Sequence, residues 1–283
     1  MVTKTISIID DSVLNVAPEA QVLSLRISDH CIETAILDSA HSTVTALECW
    51  EFTTDRDFAF AEFFFDKIFE ESSFLKRRFE KIFFLPDHNL YTLIPDKLFQ
   101  ESNSSQYLKF NHTIDINEKL SVDRLMELQL RNIYWQPYEV TKFAEKYFPN
   151  VQYIHLISSL LTAFSGEKKL NSKILINYCG KRMDVIVFKE SQFVFCNSFF
   201  YDSPADMIYF LLNIFQQTSM NTSTAITLTG ELQKKSEEYE IISKYFSNVS
   251  FARPPTKYNY YQELLQLSLH KYYGILNSFK CAL

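Results

Sequence analysis

The chain has 283 residues, 47% of them hydrophobic and 22% charged, with 28 Lys and Arg against 34 Asp and Glu for a net charge of −6. That length holds about two domains with cores of their own. The acidic balance supplies no general attraction for nucleic acid or an anionic membrane. No window approaches the ~18 consecutive apolar residues of a membrane helix. The five cysteines (Cys31, Cys49, Cys179, Cys196 and Cys281) form no CxxC and read as reduced, buried thiols. The expectation is a cytoplasmic protein with no nucleic-acid partner and no direct membrane insertion. The 26 Phe and 16 Tyr predict a core rich in aromatic packing. Glycine is scarce: average usage would give roughly 20 residues, and the chain has 4, Gly166, Gly180, Gly230 and Gly274. Loops that wrap phosphate need glycine for positive φ and close approach. Neither GxGxxG nor GxxxxGK[ST] can be assembled from these four.

In chain order, Lys4–Ile8 reads as a short edge strand or a loose arm. From Gln21, VLSLRIS alternates as a strand, Asp29-His30 turns, CIETAILD alternates again, and TVTALECWEF completes an antiparallel meander. Asp55 or Asp57 can cap a helix whose Phe58, Ala61, Phe64, Phe65, Ile68 and Phe69 share one stripe. Lys81–Leu85 has the composition of a buried strand, Asp87-His88 lies in a turn, and Leu90–Ile94 is a further strand. Residues 107–127 carry no clear period. A strand around Asn132–Trp135, a helix over Glu139–Phe148, a strand over Val151–His155 and a short helix over Ser158–Phe164 follow.

Glu167–Ser172 is polar, follows a glycine and reads as a linker. A second meander then begins at Lys173, with turns at Gly180-Lys181 and Glu190-Ser191. Asp202-Ser203-Pro204 opens a helix that buries Met207, Leu211, Ile214 and Phe215. Thr224–Thr229 is a strand stopped by Gly230, Glu231–Phe246 a helix, Asn248–Arg253 a strand, and Asn259–Phe279 a final helix. Leu23–Ser28 matches Ile174–Cys179, and Ile32–Leu37 matches Met183–Phe188 at the same offset. The matched pieces share element order and length far more than residue identity.

A repeated three-strand meander followed by helix, strand, helix and strand resembles the actin-like ATPase (ribonuclease-H-like) fold. The chain resembles a bacterial family of unknown function with that fold. Its layout is also similar to the cytoplasmic actin-like scaffolds of pilus-assembly and type II secretion machines. The resemblance implies an α/β protein, a duplicated ribonuclease-H-like fold with two mixed sheets flanked by helices. The halves are placed at 1–166 and 167–283, with the C-terminal helix a candidate to pack back on the first. In active members the turn after the first strand of each half is a phosphate loop with Asp and Gly, and a later glycine pair receives the adenosine. Here the first turn, Ser28-Asp29-His30-Cys31, lacks glycine. The second, Asn177-Tyr178-Cys179-Gly180, has Asn where an acidic metal partner belongs. The adenosine position falls at Leu228-Thr229-Gly230-Glu231, with one glycine and then an acid. His30 or Tyr178 is expected to crowd a phosphate, and Glu231 to repel one.

Other chemistry is thinly supported. Asp10-Asp11 reads as a solvated pair and Asp87-His88 as a plain turn. The histidines show no HxxxH or Cys/His spacing, and Ser158-Ser159 lacks the GxSxG context of a nucleophile. The sequence therefore points to an actin-like protein without catalysis or cofactor, acting as a scaffold or interaction module for an unidentified protein partner. The alternative is a divergent ATP-binding protein that holds ATP with magnesium near Asp29, Asn177, Gly180 and Gly230. The remaining alternative is an enzyme of another class built on Asp87-His88.

Overall fold

The computed structural model describes residues 2–11, 13, 16–52, 61–113, 119–148, 150–167 and 172–281. The chain folds as two compact units. One takes Met1–Ser159, Thr256–Leu267 and Ile275–Leu283, the other Leu160–Pro255 and Ser268–Gly274.

In the first unit the N-terminal run is a strand, β1 (Val2–Ile9), followed by the meander of β2 (Gln21–Ile27), β3 (Cys31–Asp38) and β4 (Thr43–Phe52). β1 lies antiparallel on the outer edge of β4, from Val2 opposite Phe52 to Ile9 opposite Ala46. The alternation in β2 and β3 suggests strands with one wet face, yet both strands are buried along their whole length. Several of their polar side chains are buried with partners instead. Ser24 and Ser278 share a hydrogen bond of 2.7 Å, and Arg26 pairs with Glu33. On β4, Glu48 takes Lys4 and Ser72. The helix α1 (Ala61–Glu71) buries Phe65 and Ile68, while the caps expected at Asp55 or Asp57, and Phe58, lie outside the described residues.

The parallel strand β5 (Lys81–Pro86) joins β2. An excursion then leaves the main sheet: β6 (Tyr91–Pro95), α2 (Ser104–Asn111), β7 (Lys119–Leu125), β8 (Leu130–Gln136) and α3 (Tyr138–Tyr147). Its strands form their own sheet in the order β6-β8-β7. The unassigned residues 107–127 fall here, for a physical reason. The short α2 buries only Leu108, and β7 is an edge strand that buries only Leu125, so neither carries a strong apolar period. The chain returns to the main sheet at β9 (Val151–Tyr153), beside β5, and enters α4 (Leu156–Ser165). Phe65 stacks on Phe143 with ring centroids 4.0 Å apart, part of the expected aromatic core.

The second unit repeats the scheme. β10 (Lys173–Cys179), β11 (Arg182–Lys189) and β12 (Gln192–Phe200) form the meander, and α5 (Pro204–Thr218) follows. Ser203 and Asp206 cap α5 reciprocally and Pro204 occupies its first turn, as the sequence signal predicts. β13 (Ala225–Gly230), α6 (Glu237–Tyr245) and β14 (Val249–Phe251) complete the unit. The sheet order β12-β11-β10-β13-β14 matches β4-β3-β2-β5-β9 strand for strand. The registers agree as well. Val22 faces Lys81 and Ile27 faces Pro86; in the copy, Lys173 faces Ala225 and Tyr178 faces Gly230. Even the irregularities coincide: the β3–β4 ladder shifts between Ile36 and Leu37, and the β11–β12 ladder between Val187 and Phe188. Repeated register at a constant offset (174 − 23 = 151 and 187 − 36 = 151) is the duplication itself.

The single helix expected over Asn259–Phe279 does not form. Asn259–Tyr260 is instead a strand, β15, on β4. Two 3-10 turns, Gln262–Gln266 and Leu269–Tyr272, lead into a short α7 (Tyr273–Ser278). Leu264 and Leu269 are buried while Leu265 is 59% exposed, so the leucines make no continuous helical stripe.

One contact ties the three-stranded sheet to the first turn of α4. Asp123 of β7 accepts the His155 N–H at 2.8 Å and the Tyr134 hydroxyl at 3.1 Å. Desolvation raises this carboxyl from 3.8 to about 6, against the lowering effect of its hydrogen bonds with Ser158, His155 and Tyr134. A carboxyl whose folded pKa lies above its unfolded value stabilises the fold while both states hold the proton, and that contribution is lost as pH rises through the folded pKa. Asp123→Asn keeps an oxygen acceptor without the charge. Relative to the parent, its stability is expected to rise by up to roughly 3 kcal/mol between pH about 4 and pH about 7; urea unfolding at the two pH values measures the difference.

Candidate functional site

The candidate residues of the second unit sit where β10 turns into β11 and where β13 ends. Asn177, on β10, is 4% exposed and donates from Nδ2 to Asp184 Oδ2 at 2.9 Å. The other oxygen of Asp184 accepts Arg182 Nε at 3.2 Å and the Ser198 hydroxyl at 2.6 Å. Asn177 is thus an internal donor to a buried carboxylate. Tyr178, expected to crowd the turn, points the other way: it is buried and its hydroxyl lies 3.3 Å from Met207 Sδ. Successive strand residues face opposite sides of the sheet, so the neighbour of Asn177 is committed to the core.

Gly180 adopts φ +56° in the turn, and its N–H donates to Glu231 Oε2 at 2.9 Å. A backbone N–H at a glycine turn is the kind of donor a phosphate loop offers; here a carboxylate of the same chain takes it. Gly230 has φ +79°, and a Cβ there would lie 2.1 Å from Tyr178 O and 2.9 Å from Asn177 Oδ1. Glycine is required at that point so that β13 can end against the backbone of β10. Asn177 and Gly230 therefore lie against one another, and Glu231, the residue after Gly230, holds Gly180.

In the first unit Asp29 is exposed in the turn between β2 and β3. That turn closes on itself, with Ser28 N–H donating to Cys31 O at 2.9 Å and Cys31 N–H to Ser28 Oγ at 3.2 Å. Beneath it Arg26 is 3% exposed and holds two carboxylates, Glu33 at 2.8 Å and Asp87 at 2.6 Å. In sequence Asp87 stands out only as part of a turn. Its counterpart is Glu231: the Asp87 N–H donates to Ile27 O at 2.8 Å, and the Glu231 N–H to Tyr178 O at 2.9 Å. Ile27 and Tyr178 are matched positions (178 − 27 = 151). Each half thus places an acid just beyond its first parallel strand and turns it back on the meander. The two acids follow different residues, Pro86 and Gly230, and residue identity alone does not align them.

His88 has both ring nitrogens engaged. Nδ1 accepts the Leu90 N–H at 3.2 Å, which assigns the proton to Nε2, and Nε2 donates to Trp135 O at 3.0 Å. With Asp87 on Arg26 and His88 locked between two backbone groups, the Asp87-His88 turn serves structure.

A family profile described as Protein of unknown function (DUF3822) matches residues 12–249. Among solved structures, a Bacteroides thetaiotaomicron protein with actin-like ATPase fold and unknown function aligns with a TM-score of 0.76 at 23% identity, over 84% of this chain and 92% of that one. A chain of the PilM–PilN type IV pilus biogenesis complex aligns with a TM-score of 0.57 at 12% identity, over 92% and 98%. The ethanolamine utilization protein EutJ from Carboxydothermus hydrogenoformans gives 0.49 at 7% identity, over 91% and 89%. A search of curated proteins finds no significant match. The first two likenesses establish the actin-like ATPase fold that the repeated meander implies.

Two outcomes follow from the site. Arg26→Met leaves two carboxylates buried without their cation and is expected to cost about 3–5 kcal/mol, whereas Asn177→Ala removes one donor of several around Asp184 and costs about 1–3 kcal/mol; chemical unfolding of both variants tests the order. Gly230→Ala combines a clash with backbone and a strained positive φ, and is expected to lower stability by more than about 1–3 kcal/mol, read as a fall in the thermal midpoint.

Proposed function

The chain belongs to the DUF3822 family of proteins of unknown function, and from the geometry of its turns we propose that it is a non-catalytic actin-like protein that works by binding another protein. The observation that carries this reading is the Glu231 carboxylate seated on the Gly180 N–H at 2.9 Å. An anion already held there competes with a phosphate oxygen for the same donor and repels it through space. Exposed Asp29 adds a second negative charge at the matching turn of the first unit (29 + 151 = 180), with no glycine beside it. Arg26, the cation nearest that turn in sequence, is committed to Glu33 and Asp87.

The protein-binding role draws on the fold and on what a relative of that fold does. The PilM–PilN structure is a complex, so a chain of this layout can act as a binding platform. Among the described residues no helix is long and apolar enough to cross a membrane. With its reduced cysteines, we place the protein in the cytoplasm.

Calorimetric titration of the full chain with Mg·ATP is expected to give no heat of binding in the micromolar range and no phosphate release. Low-micromolar affinity with measurable turnover overturns the reading and supports the divergent ATP-binding alternative.

A further inference from the structure

The two halves place an aromatic ring at one matched position and surround it differently. In the first unit Trp50 lies opposite Ile32 in the β3–β4 ladder; in the second, Phe199 lies opposite Met183 in the β11–β12 ladder (32 + 151 = 183). The first ring carries a cation of its own chain. Lys4, the partner of Trp50 across the β1–β4 ladder, holds its Nζ 4.4 Å from the centre of that ring and 2.9 Å from Glu48. The second ring belongs to an aromatic row on the α5 side of the sheet. Phe195 stacks on Phe199 at 6.2 Å, Phe199 meets Phe210 of α5 at 5.1 Å, and Phe210 meets Tyr209 at 5.7 Å. The three phenylalanines are half-buried against the core, and Tyr209 is 66% exposed. The charge around the row has one sign. Residues 192–218, which make β12 and α5, contain Asp202 and Asp206 and no Lys, Arg or His. Asp206 stands one helical turn before Tyr209 and Phe210, so the three share a side of α5. Hydrogen bonds from Ser203 hold its carboxyl below the ordinary range, which keeps it ionised at neutral pH.

We propose that this row docks a cationic segment of a partner protein, with Lys or Arg over its rings and beside Asp206. Such docking rests on the protein-binding reading above and adds the chemistry of the partner. The negative face of an aromatic ring attracts a cation, and a carboxylate one turn away strengthens the attraction. The first unit supplies the precedent inside this chain: a lysine on a neighbouring strand sits over the matched ring and pairs with an acid. At the second ring the nearby acids are present and the sequence of β12 and α5 brings no cation of its own. Charge complementarity therefore selects a basic occupant over an acidic one. The contact is made by side chains on the α5 side of the sheet, so it requires no free backbone group from β12, which carries a bulge at Val194.

Fluorescence anisotropy of labelled peptides against the full chain is the test. Three synthetic peptides of one length and one apolar content carry Arg, Glu or Gln at their polar positions. The Arg peptide is expected to bind at least about tenfold more tightly than the other two. Tyr209→Lys removes a ring and adds a like charge, and is expected to weaken the Arg peptide at least about fivefold. Tyr245→Lys makes the same exchange at a tyrosine of α6 that is 49% exposed, and is expected to leave binding nearly unchanged. Circular dichroism checks that both variants are folded. An Arg peptide that binds no better than the Glu peptide overturns the proposal. Equal losses in the two variants overturn it too, because net charge alone then explains the binding. A parent that sediments as a dimer and turns monomeric in Tyr209→Lys gives the row to a second copy, which also overturns it. The Mg·ATP titration tests the non-catalytic reading by itself, so failure with the peptides removes the docking chemistry and leaves that reading standing.

Discussion

The guanidinium of Arg26, enclosed between Glu33 and Asp87, joins three strands or their ends: β2 supplies the cation, β3 one carboxylate, and the residue after β5 the other. Charges buried this completely are tolerable only while they stay paired, because an isolated one loses its hydration without replacement. The constraint reaches beyond the pair itself. A one-residue slip of β2 against β3 or β5 would carry Arg26 to the opposite face of the sheet and leave both acids alone. The meander, its parallel neighbour and the turn that begins the three-stranded sheet are therefore held in a single register.

The second unit keeps the acid at the matched place and replaces the cation of the first strand by a neutral amide. At the positions matched to Arg26 and Glu33 stand Asn177 and Asp184 (26 + 151 = 177; 33 + 151 = 184), again directly opposite in the ladder. The centre is now a carboxylate surrounded by donors from β10, β11 and β12. With the buried cation supplied from β11 by Arg182, which pairs with Asp184, the acid after the parallel strand has a different partner: Glu231 reaches the Gly180 N–H, where Asp87 reaches Arg26.

Edges follow the opposite logic. The first sheet extends past β4 through β1 and β15, and its outermost strand bears a lysine that also packs over Trp50 at 4.4 Å. Among the described residues the second sheet ends at an uncharged strand beside a partly exposed aromatic row. Two halves that agree in their internal registers differ at their rims.

Much of the architecture was legible in the amino-acid sequence by itself. The two meanders, the Ser203-Pro204 helix start, the strand stopped at Gly230 and the lack of glycine for phosphate loops are local properties of residue type and spacing, and a single chain carries them openly. Tertiary structure decided the rest. The polar residues of β2 and β3 look like a wet face in sequence and are buried, since only packing supplies Ser278 for Ser24 and Asp87 for Arg26. Tyr178 looks like an obstacle at the turn and is core, because the pleat sends it away from Asn177. The C-terminal leucines look helical and are broken by the pull of β15 onto β4. The equivalence of Asp87 and Glu231 exists only as matched hydrogen bonds to Ile27 and Tyr178, for residue identity had drifted while backbone pairing, which does not depend on side-chain type, had not.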